Sequence, residues 1–158
     1  MTTVLQLLGD FGEKFVIKHI KCPSCKRDKR SLKQLRTNFI CADIICDFCG
    51  YLAQVKTKTM KSTNEPPRVI AGAGWNVQKE RLDAGIYYPL FIVGYSPESR
   101  SNAIWYVPAD LQTPAMFVKQ KRLPNRKNYS MFNINVAEAT CPPILLKRVP
   151  ISRSKKLL

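Results

Sequence analysis

The sequence predicts an α/β chain. Three observations carry this: an apolar stripe of helical period over residues 1–20, two short strands that fold back about a cysteine pair, and one apolar run, PLFIVGY, with the length of a central strand. With 158 residues, 45% of them apolar, the chain is most simply one domain with its own core. We divide it into a folded part, 1–145, that embeds a metal-binding segment at 22–49, and a basic flexible tail, 146–158.

Residues 1–20 read as helical in part. Val4, Leu5, Leu7, Leu8, Phe11, Phe15 and Ile20 give the stripe, and Gly9 and Gly12 interrupt it. Glu13 lies in the middle. It reads either as a solvent-facing helix acid or as a metal ligand lent to a neighbouring site.

Two Cys-x-x-Cys pairs follow, Cys22/Cys25 and Cys46/Cys49, with 20 residues between them. Thiolates at this spacing form a closed, tetrahedral zinc site, and the metal substitutes for core that a short segment lacks. The spacing does not exclude an iron–sulfur cluster. His19, the only histidine, reads as a helix residue beside the first pair. Between the pairs lies KRDKRSLKQLR, with six bases and one acid. It is either a solvated surface or a set of phosphate contacts.

Residues 39–46 (FICADIIC) read as a strand that holds Cys41 as a small buried apolar group. Residues 51–57 (YLAQVKT) read as the returning strand, with Gly50 taking a positive φ in the turn. This hairpin sets Asp43 opposite residues 52–54, and period-two alternation puts Gln54 and Lys56 on one face. A carboxylate, an amide carbonyl and an ammonium converging in this way suit magnesium-dependent phosphodiester chemistry, with manganese as a substitute. The pattern alone is weak, frequent by chance in charged hairpins, and favours a capping or packing Asp43 and a surface-exposed Lys56.

Residues 58–72 read as a polar connection, 75–82 as a short helix, 86–95 and 103–107 as strands, and 131–136 as an edge strand. Residues 108–117 are a turn with a short helix or extended piece. Residues 119–127 (KQKRLPNRK) form a second basic run, and 147–156 carry five further bases. The segment from 147 reads as frayed chain or as a backbone-binding arm. The formal charge of +15 attracts polyanions, nucleic acid ahead of an anionic membrane surface. No apolar run of membrane-spanning length and no signal peptide is evident. Paired thiolates without a secretion signal point to a reducing, cytoplasmic setting.

The string CPSC…ADIICDFCGYLAQVKTK, followed by LFIVGY, AIWYVPADLQTP and KQKRLPNRK, resembles the catalytic domain of the methyl-directed type IIM restriction endonucleases of the Dpn type. The likeness runs from about residue 14 to about residue 136. It implies a PD-(D/E)XK nuclease fold, a mixed sheet flanked by helices, with a four-cysteine zinc knuckle at the active hairpin. Residue by residue it implies that Cys22, Cys25, Cys46 and Cys49 hold structural zinc. Asp43 and Gln54 then bind magnesium, Gln54 standing where the family has its second acid. Lys56 is the catalytic lysine, and Glu13 assists. The implied activity is metal-dependent endonuclease cleavage of double-stranded DNA, with an adenine-methylation preference and 5′-phosphate ends. Such enzymes also carry a methyladenine-reading winged-helix domain, for which this length leaves no room. The expectation is therefore a homodimer, a separate DNA-reading partner or relaxed specificity. The alternative is a weak or inactive, zinc-stabilised DNA-binding protein.

Overall fold

The computed structural model describes residues 2–25, 30–36, 39–121 and 130–152. Helix α1 (Val4–His19) is followed by three strands, β1 (Lys33–Gln34), β2 (Ile44–Ile45) and β3 (Leu52–Thr59). Then come β4 (Val69–Ala73), helix α2 (Trp75–Asp83), β5 (Leu90–Ser96) and β6 (Ser101–Val107). Two 3₁₀ turns at Ala109–Leu111 and Pro114–Met116 lead into β7 (Phe117–Lys119). The described chain ends with β8 (Met131–Asn135), a third 3₁₀ turn at Val136–Glu138, and β9 (Ile144–Pro150).

The fold is mixed α/β. Among the described residues, six strands form one sheet in the order β1-β2-β3-β5-β6-β9, and β4-β8-β7 form a second of three. In the large sheet β3 and β5 run parallel, and the other pairings among the described residues are antiparallel. Every residue of β5, LFIVGYS, is buried. A continuous apolar run is what a strand covered on both faces requires. Phe91 and Val93 turn to one core with Phe15, Val16, Val55 and Ile104. Leu90 and Ile92 turn to the other, with Trp105, Met116, Phe132 and Ile134. Helix α1 closes the first core, and α2 with the small sheet closes the second.

Helix α1 runs without a break through Gly9 and Gly12. A capping box starts it: Thr3 Oγ1 accepts from Gln6 N at 3.2 Å, and Gln6 Oε1 accepts from Thr3 N at 2.7 Å. Lys18 and His19 end it against the negative end of the helix dipole. Gly12 is a contact point rather than an interruption, because a Cβ there would overlap Thr57 Oγ1. The absent side chain lets the helix backbone lie directly on β3, which fixes Glu13, the next residue, beside that strand.

Several expectations need correction. The strand expected over 39–46 is only Ile44–Ile45. Cys41 takes a left-handed conformation, φ 62°, and is half-buried outside any strand. Such a φ cannot continue a β ladder. The connection 58–72 contains the end of β3 and the start of β4. The strand expected at 131–136 is central in its sheet, between β4 and β7. The basic tail expected from 146 starts inside β9, which pairs with β6 from Tyr106–Ile144 to Ser101–Pro150. Residues 153–158 lie outside the described residues, as do 26–29 and 122–127 of the two basic runs.

Candidate metal centre and adjoining acidic cleft

The second cysteine pair sits on a hairpin tip. Cys46 N donates to Tyr51 O and Gly50 N to Cys46 O, both at 2.8 Å. Gly50 has φ 77°, as its position in the turn requires. The first pair is brought across by Cys22 N donating to Arg30 O at 2.8 Å, beside a Lys21–Ser31 bridge. All four sulfurs then lie within 4.8 Å of one another. Cys22 and Cys49 are 3.6 Å apart, and Cys25 and Cys46 are 3.7 Å apart.

These separations are far too long for disulfides, whose sulfurs lie about 2 Å apart. A tetrahedron with zinc–sulfur bonds of about 2.3 Å has edges of roughly 3.8 Å, so the four thiols fit one metal ion such as zinc. Burial pushes the Cys22 thiol up to about 12. The Cys49 backbone N–H draws the Cys46 thiol down to about 7. A buried thiol as reluctant as Cys22 ionises only against a cation, which is what a bound metal supplies. Around the tip, Lys33 pairs with Asp47, and the Arg30 guanidinium stacks 4.5 Å over Phe48. Two cations of the loop are thus used in packing. His19 stands apart from the sulfurs, its ring 4.5 Å from Phe15.

The same hairpin carries Asp43. Register places Ile44 across from Ala53 and Ile45 across from Leu52, so Asp43 is opposite Gln54. Asp43 N donates to Ala53 O at 2.9 Å. One residue on, β2 has ended, and Asp43 Oδ2 takes the Val55 N–H at 2.7 Å in place of a backbone carbonyl. The sheet opens there. A cavity of about 560 Å³ occupies the opening, lined by Asp43, Glu13, Asp10, Gln34, Leu35 and Arg36 among others.

Burial pushes the Glu13 carboxyl above its usual value. The Gln34 amide opposes that shift, the charges of Asp43 and Asp10 add to it, and Lys56 lowers it. Glu13, Asp43 and Lys56 are therefore within electrostatic reach of one another. Cys41 reports the same neighbourhood from the other side: burial raises its thiol, Arg81 and Lys56 lower it, and Asp43 raises it. Lys56 is half-buried, and its ammonium makes no hydrogen bond among the described residues.

Gln54 is turned elsewhere. It is 6% exposed, as is Gln78 of α2, and its Nε2 donates to Gln78 Oε1 at 3.2 Å. Glu13 and Asp43 thus share a cavity that neither Gln54 nor Lys56 lines among the described residues. Two glutamines were not singled out from sequence. Gln34 Nε2 donates to Glu13 Oε2 at 2.6 Å and to Asp10 Oδ1 at 3.0 Å, holding two carboxylates at the cleft. Nothing in the spacing marks it. Gln78 did leave a signal, since it follows Trp75 and precedes Leu82 on one helical face. A polar residue inside an apolar stripe asks for a buried partner.

No helix of the described residues is long and apolar enough to cross a membrane. No curated protein matches the chain. Among family models, the one described as DpnI, Dam-replacing family, matches residues 5–155.

Proposed function

Because the chain belongs to the DpnI, Dam-replacing family, we propose that it is a restriction-type DNA endonuclease of PD-(D/E)XK architecture. It hydrolyses phosphodiester bonds of double-stranded DNA and prefers adenine-methylated sites. The observation that carries this reading is the opening beside Asp43. Two carboxylates from separate elements, Glu13 and Asp43, share one cavity within the field of Lys56.

The donor set fits a hard divalent ion, magnesium or manganese. Asp43 would hold it through the oxygen that makes no hydrogen bond among the described residues, with Glu13 assisting. Gln54 does not line this cavity, and its carbonyl would reach the ion only if the side chain turned from Gln78 toward Asp43. Bound there, such an ion supplies Lewis acidity to the phosphate and acidifies water. Lys56 orients the attacking water and offsets charge that develops on the phosphate oxygens. Gln34 keeps Glu13 extended into the cleft. Arg36, on the rim, meets the DNA backbone, and the net charge of +15 draws the polyanion in. The cysteine tetrahedron carries structural zinc, which pins the register of the strand pair and suits a reducing, cytoplasmic setting.

The buried Gln54–Gln78 pair favours a second reading, a zinc-stabilised DNA-binding protein with weak or lost catalysis. A neutral amide holds magnesium less firmly than an acid, and this amide already has a structural partner. Incubation with unmethylated and adenine-methylated duplexes, with magnesium or manganese, separates the two. Metal-dependent cutting of the methylated duplex supports the enzyme. Binding without cutting under either metal leaves the second reading.

A further inference from the structure

The chain between β1 and β2 leaves the sheet beside the acidic cleft. Leu35 N donates to Asp43 O at 2.9 Å and closes this loop at its base, and Phe39 N donates to Arg36 O at 2.9 Å within it. Leu35, Arg36 and Asp43 all line the cavity. Phe39 and Ile40, in the same loop, precede Asp43 by four and three residues. Phe39 is 49% exposed and Ile40 51%, whereas Ala42 is 2% exposed. Cys41, between Ile40 and Ala42, is the left-handed residue, φ 62°. Across it the chain passes from solvent into the core.

Single exposed apolar side chains need no explanation. Here two stand together, uncovered, at the edge of the opening that the nuclease reading sets against a phosphate. Cations surround them. Phe39 is tied to Arg36 by the backbone bond above. Lys56 of β3 and Arg81 of α2 both act on the thiol of Cys41, next to Ile40, where Asp43 is the opposing acid. An apolar pair among cations suits a polyanion with an apolar interior. A duplex is built that way, with phosphates outside and stacked bases within. An anionic membrane has the same order of layers, but Asp43 and Glu13 beside the pair would be repelled by its headgroups without an ion to hold.

We infer that Phe39 and Ile40 form a wedge that enters the base stack of the duplex beside the bond to be cut. The inference rests on the nuclease reading of the cleft and gives that site a further positioning element. Phenylalanine and isoleucine are side chains of the kind that part base steps, and parting a step kinks the duplex so that it wraps more protein surface. The surface available here is the cleft, with Arg36 on its rim. The cost of parting depends on the step. It is lower for flexible pyrimidine–purine steps and for mismatched bases, so the wedge adds a preference that no base contact supplies.

The test is equilibrium binding by the full chain, without added divalent cation, to adenine-methylated duplexes that carry 2-aminopurine or a mismatch at each step of the site in turn. The wild type brightens 2-aminopurine at one step, and it binds the duplex mismatched there about tenfold more tightly than the matched one. Phe39→Ser with Ile40→Ser loses both effects at an unchanged Tm, since both side chains are half-exposed. Phe39→Leu with Ile40→Leu keeps both, which ties them to apolar insertion. Should the serine pair not fold, Phe39→Ser alone takes its place. Binding by the wild type with neither brightening nor a mismatch preference at any step overturns the wedge and leaves the nuclease reading standing. Unstacking by a wild type that never cuts with magnesium or manganese supports the wedge and overturns that reading alone. Absence of duplex binding overturns both. An unchanged mismatch preference in the serine pair also overturns the wedge. A dimer, or binding to phosphatidylserine vesicles, that this variant loses would then identify what covers the pair instead.

Discussion

Asp43 accepts the Val55 backbone N–H through its side chain, at 2.7 Å, where a strand carbonyl would otherwise sit. One carboxylate oxygen thereby completes the sheet, the other makes no hydrogen bond among the described residues, and the residue lines the cleft. The residue is structural and chemical at once, and substitutions can divide the two roles. Asp43→Asn keeps an acceptor for Val55 and should cost less than ~1 kcal/mol of unfolding free energy. Asp43→Ala strands the N–H and should cost about 1–3 kcal/mol. Both should abolish cleavage, as denaturant titration beside a nicking assay would reveal.

The Gln54–Gln78 pair gives a second division. Gln78→Leu leaves a buried amide nitrogen without its acceptor and should destabilise by about 1–3 kcal/mol, whereas replacing both glutamines by leucine should recover most of that loss. In Gln54→Glu the Gln78 amide can turn over and donate to the new carboxylate. This variant should cleave at lower magnesium concentration than the wild type, a shift read from rate against metal concentration.

Glu13 carries a pH signature. Burial raises its folded-state pKa above the ordinary 4.5. Between the two values the folded state binds more protons than the unfolded chain, so stability falls as pH rises through that window. Above the raised pKa the whole penalty is present; below 4.5 it is gone. Glu13→Gln removes the charge and keeps an acceptor for Gln34. Its Tm without added metal should exceed that of the wild type at pH 7, and the two should converge towards pH 4.

The cysteine site predicts one zinc per chain by elemental analysis. Stripping it with a strong chelator should lower the Tm and release the hairpin, since Cys22 and Cys46 are fully buried in the α1 core. Replacing Cys49, the exposed ligand, by serine should weaken zinc retention with less disturbance of the core than the same change at Cys46. A zinc-colorimetric release assay would rank the two.

What was legible in the sequence was local. Two cysteine pairs at fixed spacing, the turn at Gly50, the apolar run of β5 and the placing of Asp43 opposite residues 52–54 all follow from nearest-neighbour geometry. The parallel pairing of β3 with β5 was not legible, because it joins segments some thirty residues apart and leaves no periodic mark. Strand β9 was hidden by its own chemistry: Lys147 and Arg148 read as tail, yet charged side chains are what an edge strand carries. Gln34 stayed invisible because its role depends on α1 lying across β1, which Gly12 permits and no motif announces.

The most direct test of the account is single-turnover cleavage of an adenine-methylated duplex by the wild type and by Lys56→Ala, with DNA affinity measured in parallel. The account predicts magnesium-dependent cutting by the wild type and a rate reduced by about a hundredfold or more in the variant, at nearly unchanged affinity. Equal rates in the two proteins, or no cutting by a zinc-loaded wild type that binds the duplex, would contradict it.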